Sequence, residues 1–275
     1  MTPDAVFEAA ADAVVTGDEA ALKTLLAAHP DLIGARSSRH GATLLHYISA
    51  NGVEDERQKT PANAVAMARI LLEAGAVPDA AADFYGGPAT TLGLILSSVH
   101  PFQAGLQADL AGVLLDAGAS GDGALLTALA FGYGATAEVL SRRLEVNALS
   151  IAAGLGRIAA FDALWPKSPS EARHAAVTLA AMYGHIPIIE RLVAAGEDLN
   201  RFNPRGVHGH ATPLHVAVWK GQEATVRWLV EHGARTDIVD TVHGGTPLGW
   251  AHHEGHTAIA DYISKAKPTA PHKNK

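Results

Sequence analysis

A short motif followed by a glycine returns along this chain at near-constant spacing, and that recurrence constrains the fold more than any other feature. Thr212-Pro213-Leu214-His215-Val216-Ala217 and Thr246-Pro247-Leu248-Gly249-Trp250-Ala251 are offset by 34 residues. Nine positions after each threonine stands a glycine, Gly221 and Gly255. Carried backwards, the register sets anchors at 8, 43, 90, 123, 147, 175, 212 and 246, with the glycine repeated as Gly17, Gly52, Gly132, Gly156 and Gly184. The third unit departs, carrying Val99 at that position.

Apolar residues keep the same register. Two positions after the anchors stand Leu45, Leu92, Leu125, Leu149, Val177, Leu214 and Leu248; five positions after stand Ile48, Ile95, Ala128, Ala152, Ala180, Ala217 and Ala251. A spacing of three is one side of a short helix, and alanine there lets a neighbouring helix approach closely. Beyond the glycine a second stripe follows, as in Ile189/Leu192/Val193 and Val226/Leu229/Val230, which is the pattern of a helix with one buried face. The segments Leu71–Ala76, Leu114–Ala119 and Leu229–Ala234 each end on a glycine suited to a left-handed helix cap. Thr212 and Thr246 suit N-caps, with Pro213 and Pro247 at the first helical position, where a missing N–H costs nothing. Each unit therefore reads as helix, glycine turn, helix and an extended polar connection.

Composition agrees with closely packed helices. The 275 residues are 48% apolar but only 5% aromatic, with no cysteine. That excludes a disordered chain, a disulfide scaffold, a thiolate metal site and a cysteine nucleophile. An excess of 28 acidic over 21 basic residues argues against nucleic acid as the main partner. Glu8 and Asp12 interrupt what would have to be the apolar core of a signal peptide, and even the richest apolar segment, 175–196, carries His185, Glu190 and Arg191. The expectation is a soluble, cytoplasmic protein without a membrane partner.

The motif Thr212–Ala217 in a unit of about 33 residues resembles the ankyrin repeat. Residues 212–245 are the best copy, and 43–52, 175–199 and 246–263 are recognisable. The resemblance implies an all-α ankyrin-repeat solenoid of helix-turn-helix units joined by finger loops. A single domain of about eight units is expected over 1–264, with a disordered tail over 265–275. Units 123–146 and 147–174 are short, so their fingers are expected to be shortened. Units 43–89 and 90–122 carry extra residues, Val53 to Ala62 and Pro101 to Gln107, expected to form loops at Pro61 and Pro101. In such an array each unit is stabilised by its neighbours.

Few motifs point to chemistry. Gly132-Tyr133-Gly134-Ala135-Thr136-Ala137 and Gly154-Leu155-Gly156-Arg157-Ile158-Ala159 match the dinucleotide-binding pattern, but each lies where the register expects an inter-helix turn rather than a strand end. Fifteen histidines suggest a metal, yet Gly255 separates His252 from His256, so they are not expected to share a helix face. The resemblance implies structural roles for His46, His185, His215 and His256, tying turns and loops by hydrogen bonds. His208, His210 and His243 on the expected fingers keep a metal or pH-sensing role open. No nucleophile elbow, Walker segment or carboxylate pair offers a catalytic centre, and no catalytic residue, cofactor or metal is assigned.

The resemblance also implies that the ends of the first helices, seven and eight positions after each anchor, contact partners. Large residues there cluster in the later units: Phe131, Leu155, Met182, Tyr183 and Trp219, with Lys220 and His253 beside them. Phe202 and Arg205 on finger 200–211, His243 on the next finger, and Phe84 and Tyr85 on finger 77–89 extend the strip. The expected function is a non-catalytic scaffold, monomeric, binding an unidentified protein through these residues. The alternatives are a small-ligand or metal-binding protein, or a cryptic enzyme, built on the finger histidines, and self-assembly through the end units.

Overall fold

The computed structural model describes residues 2–266. It divides into two compact units, Met1–Leu144 and Glu145–Lys275, each treated below by itself.

In the first unit Thr2 caps α1 (Pro3–Thr16), its hydroxyl accepting from the Ala5 N–H at 3.3 Å, and Pro3 takes the first helical position. The helix stops at Gly17, whose φ of +77° is natural for a residue without a side chain. Asp18 then caps α2 (Glu19–Ala28), accepting from Ala21 N–H at 2.9 Å. The same plan gives α3 (Leu44–Tyr47) with α4 (Ala64–Glu73), and α5 (Thr91–Ser97), α6 (Val99–Gln103) and α7 (Gln107–Asp116) in the third unit. It ends with α8 (Ala124–Ala130) and α9 (Gly134–Leu140). First helices pack in the row α1, α3, α5, α8 and second helices in the row α2, α4, α7, α9, so every element is covered by its sequence neighbours.

Three features of this unit differ from the reading of the sequence. Finger 77–89 contains an antiparallel hairpin, β1 (Ala81–Phe84) against β2 (Gly87–Thr90), with Ala81 opposite Thr90 and Phe84 opposite Gly87. Tyr85 and Gly86 join the strands with φ of 55° and 82°, both left-handed as a two-residue type I′ turn requires. The extra residues around Pro101 form α6 instead of a loop, because Pro101 sits in its first turn where no N–H is needed. Phe84, expected on the outer strip, is buried against the ring of His46, centroids 5.7 Å apart. The Val53–Ala62 insertion is held by Arg57, which is buried and pairs with Glu8 and Asp12 of α1.

The second unit contains α10 (Leu149–Gly154), α11 (Ile158–Leu164), α12 (Ser170–Tyr183), α13 (Ile186–Ala194), α14 (Pro213–Trp219), α15 (Glu223–Glu231), α16 (Pro247–His253) and α17 (Thr257–Lys265). The first helices α10, α12, α14 and α16 stack in order, each paired with its second helix. Between them Ala152, Ala180, Ala217 and Ala251 are fully buried, the small residue admitting close backbones. Second-helix stripes Ile188/Ile189/Leu192, Val226/Leu229/Val230 and Ile259/Ala260/Ile263 complete the core. Each fully buried aliphatic side chain among them contributes about 1.5–3 kcal/mol relative to exposure. Helix α12 begins at Ser170, after Pro169, five residues before its expected anchor. Of the expected tail, Lys265 ends α17 and Ala266 follows it; residues 267–275 lie outside the described residues. Among the described residues no helix is long and apolar enough to cross a membrane.

Candidate functional site

The site grows out of the capping residues of the second unit. Thr212 caps α14, and His215, three residues on, folds its ring back: Nδ1 accepts from the Thr212 N–H at 3.3 Å and lies 2.8 Å from the Thr212 hydroxyl. That leaves Nε2–H to donate to the Gly245 carbonyl at 3.2 Å, tying one repeat to the finger of the next. Burial lowers the His215 pKa, and the hydrogen bond to Gly245 offsets part of that effect. His46 makes the matching bond to Thr43 N–H, at 3.1 Å.

The next finger is closed by Asp240. One carboxylate oxygen accepts from the N–H groups of Val242 (2.9 Å) and His243 (2.6 Å), the other from Gly245 N–H (2.8 Å) and the Trp250 indole N–H (2.9 Å). Burial works against this charge, but the four bonds override it and hold the carboxyl far below the usual carboxylate range. Asp240 thereby fixes both the finger and the plane of Trp250, which also meets His215 edge to face at 5.2 Å.

Around this scaffold a chain of rings lines a cleft of about 440 Å³. Its walls include His208, Trp219, His243, Trp250, His253 and Glu254. His208, held at φ +61°, packs on Trp219 at 4.9 Å, and His210 lies 5.9 Å from Trp250 and 5.8 Å from His243. The Lys220 ammonium stands 5.1 Å from the Trp219 ring centre. Burial lowers its pKa, while Glu254 pulls the other way.

The cleft therefore gathers three of the residues singled out in the sequence, Trp219 and His253 from the register and His243 from a finger, with Lys220 beside them. Phe202 and Arg205 are exposed on the finger before it, and Tyr183 and Leu155 are half-buried on earlier first helices. Burial raises the Tyr183 pKa. Met182 is a correction: it is fully buried in α12, so it packs the core and cannot meet a partner. Phe131, in the first unit, is 50% exposed, and the nearby Tyr133 stacks on Phe102 at 4.5 Å, a ring pair the register did not single out. Tyr85 is 79% exposed, its hydroxyl donating to Asn51 Oδ1 at 2.5 Å. The reading of the sequence also missed Trp250 and Glu254. Trp250 falls four positions after its anchor and Glu254 eight, and the second of these positions was the available signal.

Two further histidines tie turns. His185 Nε2 lies 3.1 Å from the Gly154 carbonyl, and His256 Nε2 3.4 Å from that of Trp219. Gly156 and Gly132, which matched a dinucleotide pattern, are inter-helix turn residues at φ +65° and +85°. His252 lies in α16 and His256 caps α17, so they sit on different helices. His208, His210 and His243 touch by ring faces and edges, and among the described residues no group of three or more His, Asp or Glu side chains is arranged to hold a metal.

Helix pairs that stack on their neighbours, with His215 tying one repeat to the finger of the next, define a helical-repeat module. The ankyrin-repeat family model matches residues 177–273 as three copies, so this segment carries ankyrin repeats. It is similar to ankyrin repeat and SAM domain-containing protein 6 of Mus musculus, 35% identical over 98 residues, which is 36% of this chain and 11% of that protein. It is also similar to palmitoyltransferase Hip14 of Drosophila melanogaster, 32% identical over 93 residues, 33% of this chain and 14% of that protein. The matched segment is thus about a seventh or less of these relatives' length. Ankyrin repeats generally mediate protein–protein interaction, and the family is typically non-enzymatic.

Proposed function

We propose that this protein is a non-catalytic scaffold, a cytoplasmic monomer whose helix pairs over 1–264 form one repeat domain, capturing a protein partner through first-helix ends and finger loops. The observation that carries this reading is the aromatic cleft between finger and helix ends in the second unit, where Trp219, Trp250 and three imidazoles form one wall system. Ring-rich clefts with a rigid backing supply binding anchors, because most affinity comes from a few large residues held in place beforehand. Arg205, Phe202 and Tyr183 would extend the contact along neighbouring repeats.

The test is affinity capture from a cell extract followed by mass spectrometry, comparing the natural chain with Trp219→Ala and Tyr183→Ala. Each variant should keep its helical signal and lose about 1 kcal/mol or more of partner binding. Unchanged capture by both variants refutes the scaffold surface described here.

A further inference from the structure

We propose that the cleft of the second unit binds the guanidinium of a partner's arginine side chain, stacked on the Trp219 indole and paired with the Glu254 carboxylate. This names the partner chemistry of the surface proposed above and rests on that reading. Two indoles line the cleft, and the faces of such rings attract cations. The Trp250 indole is bonded through its N–H to the Asp240 carboxylate, which pushes electron density towards the ring and makes its face a better acceptor of positive charge.

The chain itself already places a cation here: the Lys220 ammonium lies over Trp219, within the field of Glu254. A guanidinium suits such a place better than an ammonium, because it is planar, more weakly hydrated and able to pair with a carboxylate through two donors. The same unit holds an example, the Arg227 guanidinium 4.4 Å from the ring centre of Tyr262. An anionic ligand would face Glu254 and find the finger's backbone donors, at Val242, His243 and Gly245, already turned onto Asp240. Only the imidazoles of His208, His210, His243 and His253, with Lys220, would favour it.

The experiment follows the tryptophan indole N–H signals of the ¹⁵N-labelled full chain during titration with two end-blocked pentapeptides, Ala-Ala-Arg-Ala-Ala and Ala-Ala-Glu-Ala-Ala. The arginine peptide should move Trp219 and Trp250 saturably and leave Trp165 and Trp228 in place. Glu254→Gln should weaken it about threefold or more, the scale of a partly exposed ion pair. Lys220→Met should tighten it by removing the competing cation. Binding of the glutamate peptide instead, weakening by Lys220→Met, or no saturable shift at either indole overturns the proposal. If Trp219→Ala abolishes protein capture while the arginine peptide moves nothing, the arginine site falls and the scaffold stands. If the arginine peptide binds as expected and capture is unaffected, the site stands and the scaffold reading falls.

Discussion

A buried imidazole resists its proton, and His46, His174, His185 and His215 all do so here, each with its pKa lowered by burial. In the unfolded chain histidine takes up a proton near pH 6.5, so acid favours unfolding once the pH drops below about that value. Stability from these four is complete above it and declines as the pH falls. Asp240 has the opposite kind of shift: its carboxyl is held far below the usual range, so its contribution is present above about pH 4 and is lost only in stronger acid. Glu197, raised by burial and only partly relieved by Arg173, opposes both by gaining a proton more readily when folded. Thermal unfolding followed by circular dichroism from pH 8 to 3.5 should therefore show a first loss below about pH 6.5 and a steeper one below about pH 4. His215→Gln should flatten the first stage and lower stability at pH 7 by about 1–3 kcal/mol, since the ring's bonds to Thr212 and Gly245 are lost in a buried place. A melting temperature flat between pH 7 and 5 would contradict this account. At the same scale Met182 was misread from the sequence. A register gives a position along a helix, and whether that position is covered depends on the repeats on either side.

At the scale of elements the glycine turn is the feature that the chain repeats most faithfully, and the stacking explains why. Gly156 sits at φ +65°, and a Cβ there would lie 2.6 Å from the His185 ring of the following repeat. Gly221 repeats the arrangement under His256, at 3.0 Å. Gly156→Ala is expected to cost about 2 kcal/mol or more, combining a left-handed backbone with overpacking. Part of that cost should disappear in the double variant with His185→Ala, so a urea-unfolding cycle should show coupling between the two sites; strict additivity would mean that the ring does not set the requirement. The capped starts at Thr212 and Thr246 were legible because cap chemistry is local, and Thr43 and Thr90 open their helices in the same way. The hairpin of finger 77–89 was not. Ala-Ala-Asp-Phe and Gly-Pro-Ala-Thr carry little strand preference, and pairing between them rests on the Tyr85-Gly86 turn. Helix α6 was hidden by Pro101, since a proline punctuates a loop and opens a helix equally well.

For the whole molecule the expectation concerns where the core lies. The hydrophobic cluster of the second unit runs from Leu149 to Ile263, and its members all belong to residues 145–266. The fragment 145–275 should therefore fold when expressed alone, with a helical circular dichroism spectrum and a cooperative urea transition. A broad, non-cooperative transition would show that this core does not suffice. The array of helix pairs was readable along the chain because each helix buries its stripe against near neighbours, which leaves a period in the residues themselves. The cleft was readable only in part. Trp219 lies in one repeat, Trp250, His253 and Glu254 in the next, and His208 and His243 on two successive fingers. Period and caps thus specify what each segment becomes, because those preferences act within a few residues. Which rings face one another, which methionine is sealed inside and which carboxylate stands beside an indole were settled by the stacking, where side chains some 30 positions apart first meet.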